Sequence, residues 1–246
     1  MEKVTVLEGK NRHFAMILDD FETMSKLVLE QYQRVQHILD PLEPQPTLAE
    51  IEEAERIIDG MEVKLHNDVV QALVLYTPRA TESRLVMSYY DITSNLERVG
   101  DLLLNACQHL MKSYAAGSVY AELLQPCQIL FGEVLSGLET SLFAFRCGDA
   151  PAGRGVIAAD DRVDALYDEI EVQVPQLVVK YGTDAREAET AMHFYMLAYI
   201  LERIGDHATN IAEAIIYTFQ GNYVKHVHDE SPSNGDIGAS ERGNRD

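Results

Sequence analysis

The segment Asn95-Leu96-Glu97-Arg98-Val99-Gly100-Asp101 returns almost unchanged 105 residues later as Ile200-Leu201-Glu202-Arg203-Ile204-Gly205-Asp206. The same offset joins Asn105 to Asn210, Glu55 to Asp160, Asp59 to Asp164 and Tyr76 to Tyr181. One gapless offset held over much of each half marks two copies of a domain-sized unit, 8–115 and 118–223, rather than a solenoid of short repeats. Whatever one unit folds into, the other must fold into as well. The chain of 246 residues is long enough for two small domains.

Apolar spacing says what the unit is built from. Ile92, Leu96, Val99, Leu103, Ala106 and Leu110 alternate steps of four and three, and Leu197, Leu201, Ile204, Ala208, Ile211 and Ile215 repeat them. Earlier in each unit, Ala54, Ile58, Met61 and Leu65 are mirrored by Ala159, Val163, Leu166 and Ile170. This is the stripe of a packed helix. No segment sustains the period-two alternation of a strand, so the expected class is all-α, with three helices per unit in two tandem three-helix bundles.

Punctuation divides the units. The first helix should end near Asp40, before Pro41, Pro44 and Pro46, with Thr47 as N-cap of the second. Thr77-Pro78 reads as an N-cap and first residue of the third helix. In the second unit, Gly148 to Gly155 with Pro151 should separate the first two helices, and Gly182 should cap the second. The link Ala115-Ala116-Gly117-Ser118 is short, so the bundles are expected to pack against each other. Residues 224–246 are polar and rich in Gly, Ser and Asn, the composition of a disordered acidic tail.

Charge narrows the partners. Forty acidic against 20 basic residues leave a formal net charge of −20. Such a field repels nucleic acid and anionic membrane surfaces and attracts cations and basic proteins. Cys107, Cys127 and Cys147 form no CxxC pair and no even framework, so buried, reduced thiols are expected. No run is apolar enough to insert in a membrane, and the N-terminus has no signal-like apolar stretch, which points to the cytoplasm.

The acids follow the stripe. Glu97 and Asp101 lie four apart on one helical face, Glu97 directly after Leu96, while Glu55 and Asp59 follow Ala54 and Ile58. Asp160, Asp164, Glu202 and Asp206 repeat the arrangement. Like charges beside a helix interface repel, and desolvation raises the cost. A hard cation would compensate, since clustered carboxylates suit iron, manganese, magnesium or calcium. Neutralisation by Arg98 and Arg203 is the other solution. Gly100 and Gly205, each costing up to about 1 kcal/mol in mid-helix, read either as close helix packing or as room for a metal beside the second acid. His207 is a candidate supporting group beside Asp206. His66, His109 and His193 are expected to be packed or solvated, and the tail histidines His226 and His228 to have no role.

Leu201-Glu202-Arg203-Ile204-Gly205-Asp206-His207-Ala208-Thr209-Asn210-Ile211-Ala212-Glu213, followed by Phe219-Gln220-Gly221 and His226, resembles the C-terminal motif of the PhoU family. Leu96 to Asp101, preceded by Arg84-Leu85-Val86-Met87, resembles its first copy. The resemblance runs almost to His228 and implies two tandem three-helix bundles. It also implies iron or zinc clusters, or magnesium-like ions (manganese included), held by the ExxxD-type pairs. Here those positions are Glu55, Asp59, Glu97, Asp101, Asp160, Asp164, Glu202 and Asp206. It further implies a negative regulator of phosphate uptake and of the phosphate-starvation response. Such a protein links the ATPase subunit of the phosphate ABC transporter to a phosphate-sensing histidine kinase, and a homodimer stays open.

Other readings of the residues are a metal-dependent carboxylate-bundle enzyme and a metal-free helical adaptor of another phosphate transporter. Di-iron bundles use Glu-x-x-His, which neither third helix contains. No phosphate-cradling GxxxxGK[ST] loop is present either.

Overall fold

The periodic segments are helices throughout. In the computed structural model, which describes residues 2–40, 43–79, 81–113 and 115–221, six helices follow one another: α1 (Glu2–His37), α2 (Leu48–Tyr76), α3 (Thr81–Lys112), α4 (Ser118–Cys147), α5 (Ala150–Tyr181) and α6 (Ala185–Gln220). The described residues contain no strand. None of their helices is long and apolar enough to cross a membrane. The expected tail at 224–246, with His226 and His228, lies outside the described residues.

Local chemistry explains most boundaries. Thr47 caps α2 through a capping box: its hydroxyl accepts from the Glu50 amide, and the Glu50 carboxylate accepts from the Thr47 amide at 2.7 Å. Asp184 caps α6 by accepting from the Arg186 amide. Two expected boundaries are corrected. Thr77 does not start α3; it ends α2 in the left-handed conformation, φ 43°, its amide donating to the Leu73 carbonyl, and α3 starts at Thr81. The Gly148–Gly155 stretch is not a linker. Gly148, φ 69°, closes α4, Asp149 caps α5 through the Ala152 amide, and Pro151 lies in the first turn of α5. Proline is tolerated there because that N–H has no intrahelical partner.

Helices α1, α2 and α3 pack together, as do α4, α5 and α6, and α3 lies along α6. The α3 and α6 stripes are buried over their full length. Full burial contributes about 1.5–3 kcal/mol for each large apolar side chain. The stripe of the second helix differs from expectation: Ala54 is half-buried and Ala159 exposed. The buried seam instead runs through Ile51, Ile58 and Leu65 in α2 and Val156, Val163 and Ile170 in α5. Cys147 is exposed, whereas Cys107 and Cys127 are buried.

The two bundles share one core. Phe145 of α4 packs edge-on against Phe21 of α1 and Tyr89 of α3, and Tyr32 of α1 is fully buried with its hydroxyl donating to the Phe131 carbonyl of α4 at 2.8 Å. Helices α3 and α6 run antiparallel. Arg84 and Ser88 reach Thr218, Asn95 meets His207, and His109 meets His193.

Candidate metal centre

The site begins with the approach of α2 to α3. Glu55 and Asp59 are one turn apart on α2, and Asp101 lies on the facing side of α3. At Gly100 a Cβ would come within 3.3 Å of Ile58 Cγ2, so the missing side chain is what lets the two backbones come this close. Gln31 of α1, 1 % exposed, packs behind this point, its Nε2 donating to the Gly100 carbonyl at 3.5 Å. The packing reading of the glycine holds here, and the close approach at Gly100 sets the adjacent carboxylates near one another.

Glu55, Asp59 and Asp101 each present an oxygen within 4.8 Å of the other two. Asp59 is half-buried, and its Oδ1 is shielded from solvent without a hydrogen-bond partner. Burial, then the charges of Asp59 and Asp101 and hydrogen bonds to them, push the Glu55 carboxyl up to about 7. Three carboxylates gathered so closely hold a proton near neutrality, and one of their oxygens is buried without a partner. This donor set fits a hard cation.

Glu97 stands beside the triple. Burial raises its pKa first, then the charges of Asp101, Glu62 and Asp59, against the opposing charge of Arg98. Arg98 Nε lies 3.6 Å from Glu97 Oε2, so this arginine offsets the fourth acid. The row continues along α2 with two residues that spacing alone did not single out as a site. Glu62 Oε1 accepts from Ser94 Oγ at 3.2 Å, and His66 lies flat on Tyr90 with ring centroids 3.7 Å apart. His66 is packed, as expected. Glu62 could have been found as the next same-face acid seven residues after Glu55.

The second unit is built differently. Asp160 is buried, 5 % exposed, while Asp164, Glu202 and Asp206 are half-buried. Among the described residues these four do not form a group like the first, although each interacts with a neighbour. Gly205 is as tight as Gly100: a Cβ there would come 3.1 Å from Val163 Cγ1. The difference comes from the first helix. Buried Ile17, Phe21, Met24, Val28 and Tyr32 of α1 match buried Leu123, Cys127, Leu130, Val134 and Leu138 of α4, at a spacing one residue longer than the repeat. That register sets Gly137 where α1 carries Gln31. A groove of about 320 Å³ opens there, lined by Ser136, Gly137, Thr140, Asp160 and Gly205 among others. Further along, Tyr195 and Tyr167 hydrogen-bond to Glu171, at 3.0 and 3.3 Å, where the first unit has Tyr90, Glu62 and His66.

His207 Nδ1 contacts Asn95 Oδ1 of the other unit at 2.9 Å. Burial first, then the charges of Arg203 and Arg98, push its pKa down to about 4, so the ring is neutral. The sequence neighbour of Asp206 thus serves the seam between units.

Comparisons with known proteins agree with this architecture. A family model described as the PhoU domain matches residues 21–110 and again 128–215. The chain is 29 % identical over 226 residues to the phosphate-specific transport system accessory protein PhoU homolog of Aquifex aeolicus, covering 86 % of this chain and 96 % of that one. It is 29 % identical over 180 residues to the corresponding Escherichia coli protein, covering 71 % and 73 %. The crystal structure of PhoU from Pseudomonas aeruginosa superposes with a TM-score of 0.71 at 25 % identity, covering 86 % of this chain and 99 % of that one. The phosphate transport system regulatory protein PhoU from Streptococcus pneumoniae shares the fold, with a TM-score of 0.75 at 19 % identity, covering 88 % and 100 %.

Proposed function

The chain belongs to the PhoU family, and on that footing we propose that it is an accessory regulator of phosphate transport without catalytic activity. It holds down phosphate uptake and the phosphate-starvation response when phosphate is plentiful. It does so as a metal-binding adaptor between the ATPase subunit of a phosphate ABC transporter and a phosphate-sensing histidine kinase, on the cytoplasmic side. The accessory role is supported by relatives that carry it in their names across most of the chain.

The observation that carries the metal is the Glu55–Asp59–Asp101 triple with its orphaned Asp59 oxygen. Its all-oxygen donors favour iron, manganese or magnesium over zinc. A bound cation supplies the positive charge that these carboxylates otherwise lack. Glu55 then gives up the proton it holds, and Asp59 and Asp101 no longer repel it. The surface between α2 and α3 changes charge with occupancy, which gives a basic partner segment two different faces to read. The corresponding acids of the second unit, Asp160, Asp164, Glu202 and Asp206, are the weaker site in this reading.

The test is a deletion of the gene in its host, with a reporter of phosphate-starvation genes followed in phosphate-rich medium. The reporter is expected to switch on, to be silenced by the wild-type gene, and to stay on with Asp59→Asn/Asp101→Asn. A reporter that stays silent in the deletion ends the regulator reading. Full silencing by the double variant ends the metal's part in it.

A further inference from the structure

We propose that His109 and His193 form a separate imidazole site for a borderline transition-metal ion, typified by Zn²⁺, at the seam between the two units. His109 lies in the last turn of α3 and His193 in the first half of α6, so the sequence keeps them far apart and only the antiparallel packing of α3 on α6 joins them. Their Nδ1 atoms are 3.0 Å apart, with the rings edge to face at a centroid distance of 5.2 Å.

Three features suit a metal. Two nitrogens each about 2.0–2.1 Å from a tetrahedral zinc are roughly 3.3 Å apart, within a few tenths of an ångström of this spacing, and an ion would take the place of the N–H···N hydrogen bond that the two rings share. The other nitrogen of His193, Nε2, is shielded from solvent without a hydrogen-bond partner, and Glu189 Oε1 stands 3.8 Å from it, one turn back on α6. A carboxylate behind the far nitrogen is how metal-bound histidines are commonly oriented. His193 is 15 % exposed at its side chain and His109 is half-buried, so the pair borders solvent and water would complete the coordination.

The proton balance favours binding as well. Burial, then the neighbouring His193 and Lys112, lowers the His109 pKa below the ordinary histidine value, and the neutral ring is the ligand form. The donors are nitrogens, whereas the Glu55–Asp59–Asp101 group offers only oxygens, so the two sites select different ions. An ion held here clasps α3 to α6 at one end of the seam. At the other end Arg84 and Ser88 perform that joining by hydrogen bonds to Thr218.

The test uses the full chain with Asp59→Asn/Asp101→Asn and His226→Gln/His228→Gln, so that neither the carboxylate triple nor the C-terminal histidines contribute. Zn²⁺ is titrated calorimetrically. One equivalent is expected, with at least tenfold weaker affinity after either His109→Gln or His193→Gln. Equal affinity and stoichiometry in both variants, or no binding in the parent, overturns the site. Cu²⁺ bound to the parent provides a readout that needs no seam variant: pulsed electron paramagnetic resonance should show the nitrogen couplings of imidazole, and their absence overturns the proposal. Because the Glu55–Asp59–Asp101 group is already disabled, and Asp160, Asp164, Glu202 and Asp206 offer oxygens alone, the loss specific to the histidine variants and the imidazole couplings are independent of the metal reading above.

Discussion

His207 on α6 and Asn95 on α3 meet through Nδ1 and Oδ1 at 2.9 Å, across the seam between the repeats. An amide oxygen only accepts, so Nδ1 carries the proton and donates. With its pKa pushed down to about 4 against about 6.5 in an unfolded chain, the neutral ring stabilises the fold above pH 6.5. That contribution is lost as the pH falls from 6.5 through 4. Its ceiling is about 3 kcal/mol. Urea unfolding of metal-free protein across this range should show His207→Gln with a flatter pH dependence than wild type, and parallel curves would count against the linkage.

Glu55 runs in the opposite direction. Its carboxyl is pushed up to about 7 from an ordinary 4.5, so the folded state holds a proton that the unfolded chain has released. The resulting stabilisation is complete below pH 4.5 and lost as the pH rises through 7. In protein stripped of metal, Glu55→Gln should melt above wild type at pH 8 and near it at pH 4. Added Mn²⁺ or Fe²⁺ should reverse the order at pH 8, since only the carboxylate ligates. Melting curves with and without chelator check both statements.

Glycine substitutions separate packing from propensity. At Gly205 a Cβ would press on Val163 Cγ1 at 3.1 Å, and valine has little rotamer freedom in a helix. Overpacking of about 1–3 kcal/mol against about 1 kcal/mol of helix propensity leaves Gly205→Ala destabilised by about 1 kcal/mol. Gly60 has nothing within 4 Å of the same position, so Gly60→Ala should stabilise by about 0.4–1 kcal/mol. Equilibrium denaturation of the two variants reads the sign directly.

Metal content should be asymmetric between the repeats. The first unit gathers three carboxylates within 4.8 Å, whereas the acids of the second, Asp160 buried among them, form no such group among the described residues. Elemental mass spectrometry on protein reconstituted with limiting iron or manganese should show a greater loss with Asp101→Ala than with Asp206→Ala. Equal losses would mean that both sets bind alike.

Much of the fold was legible because it rests on local rules. The steps of four and three from Ile92 to Leu110 and the N-cap at Thr47 are written in neighbouring residues, and the 105-residue offset in short motifs that return. The boundaries at Thr77 and Gly148 were harder to place. A turn residue before a proline and a glycine before an aspartate each have two helical roles, and the choice depends on which carbonyl lies within reach.

The eight acids were nameable from spacing, since residues four apart share a helix face whatever surrounds them. Their inequality was not. Glu55, Asp59 and Asp101 converge because Gly100 lets α3 settle against Ile58 with Gln31 behind, while Gly137 leaves an opening beside Asp160. The pairing of His109 with His193 was equally out of reach, because two residues on helices far apart in the chain meet only through the antiparallel register of α3 on α6. Sequence by itself determined the helices, the duplication and the candidate ligands, all properties of short segments repeated. Tertiary structure decided which ligands meet and which stay apart, because that depends on side-chain volume at the helix crossings, a quantity no single helix contains.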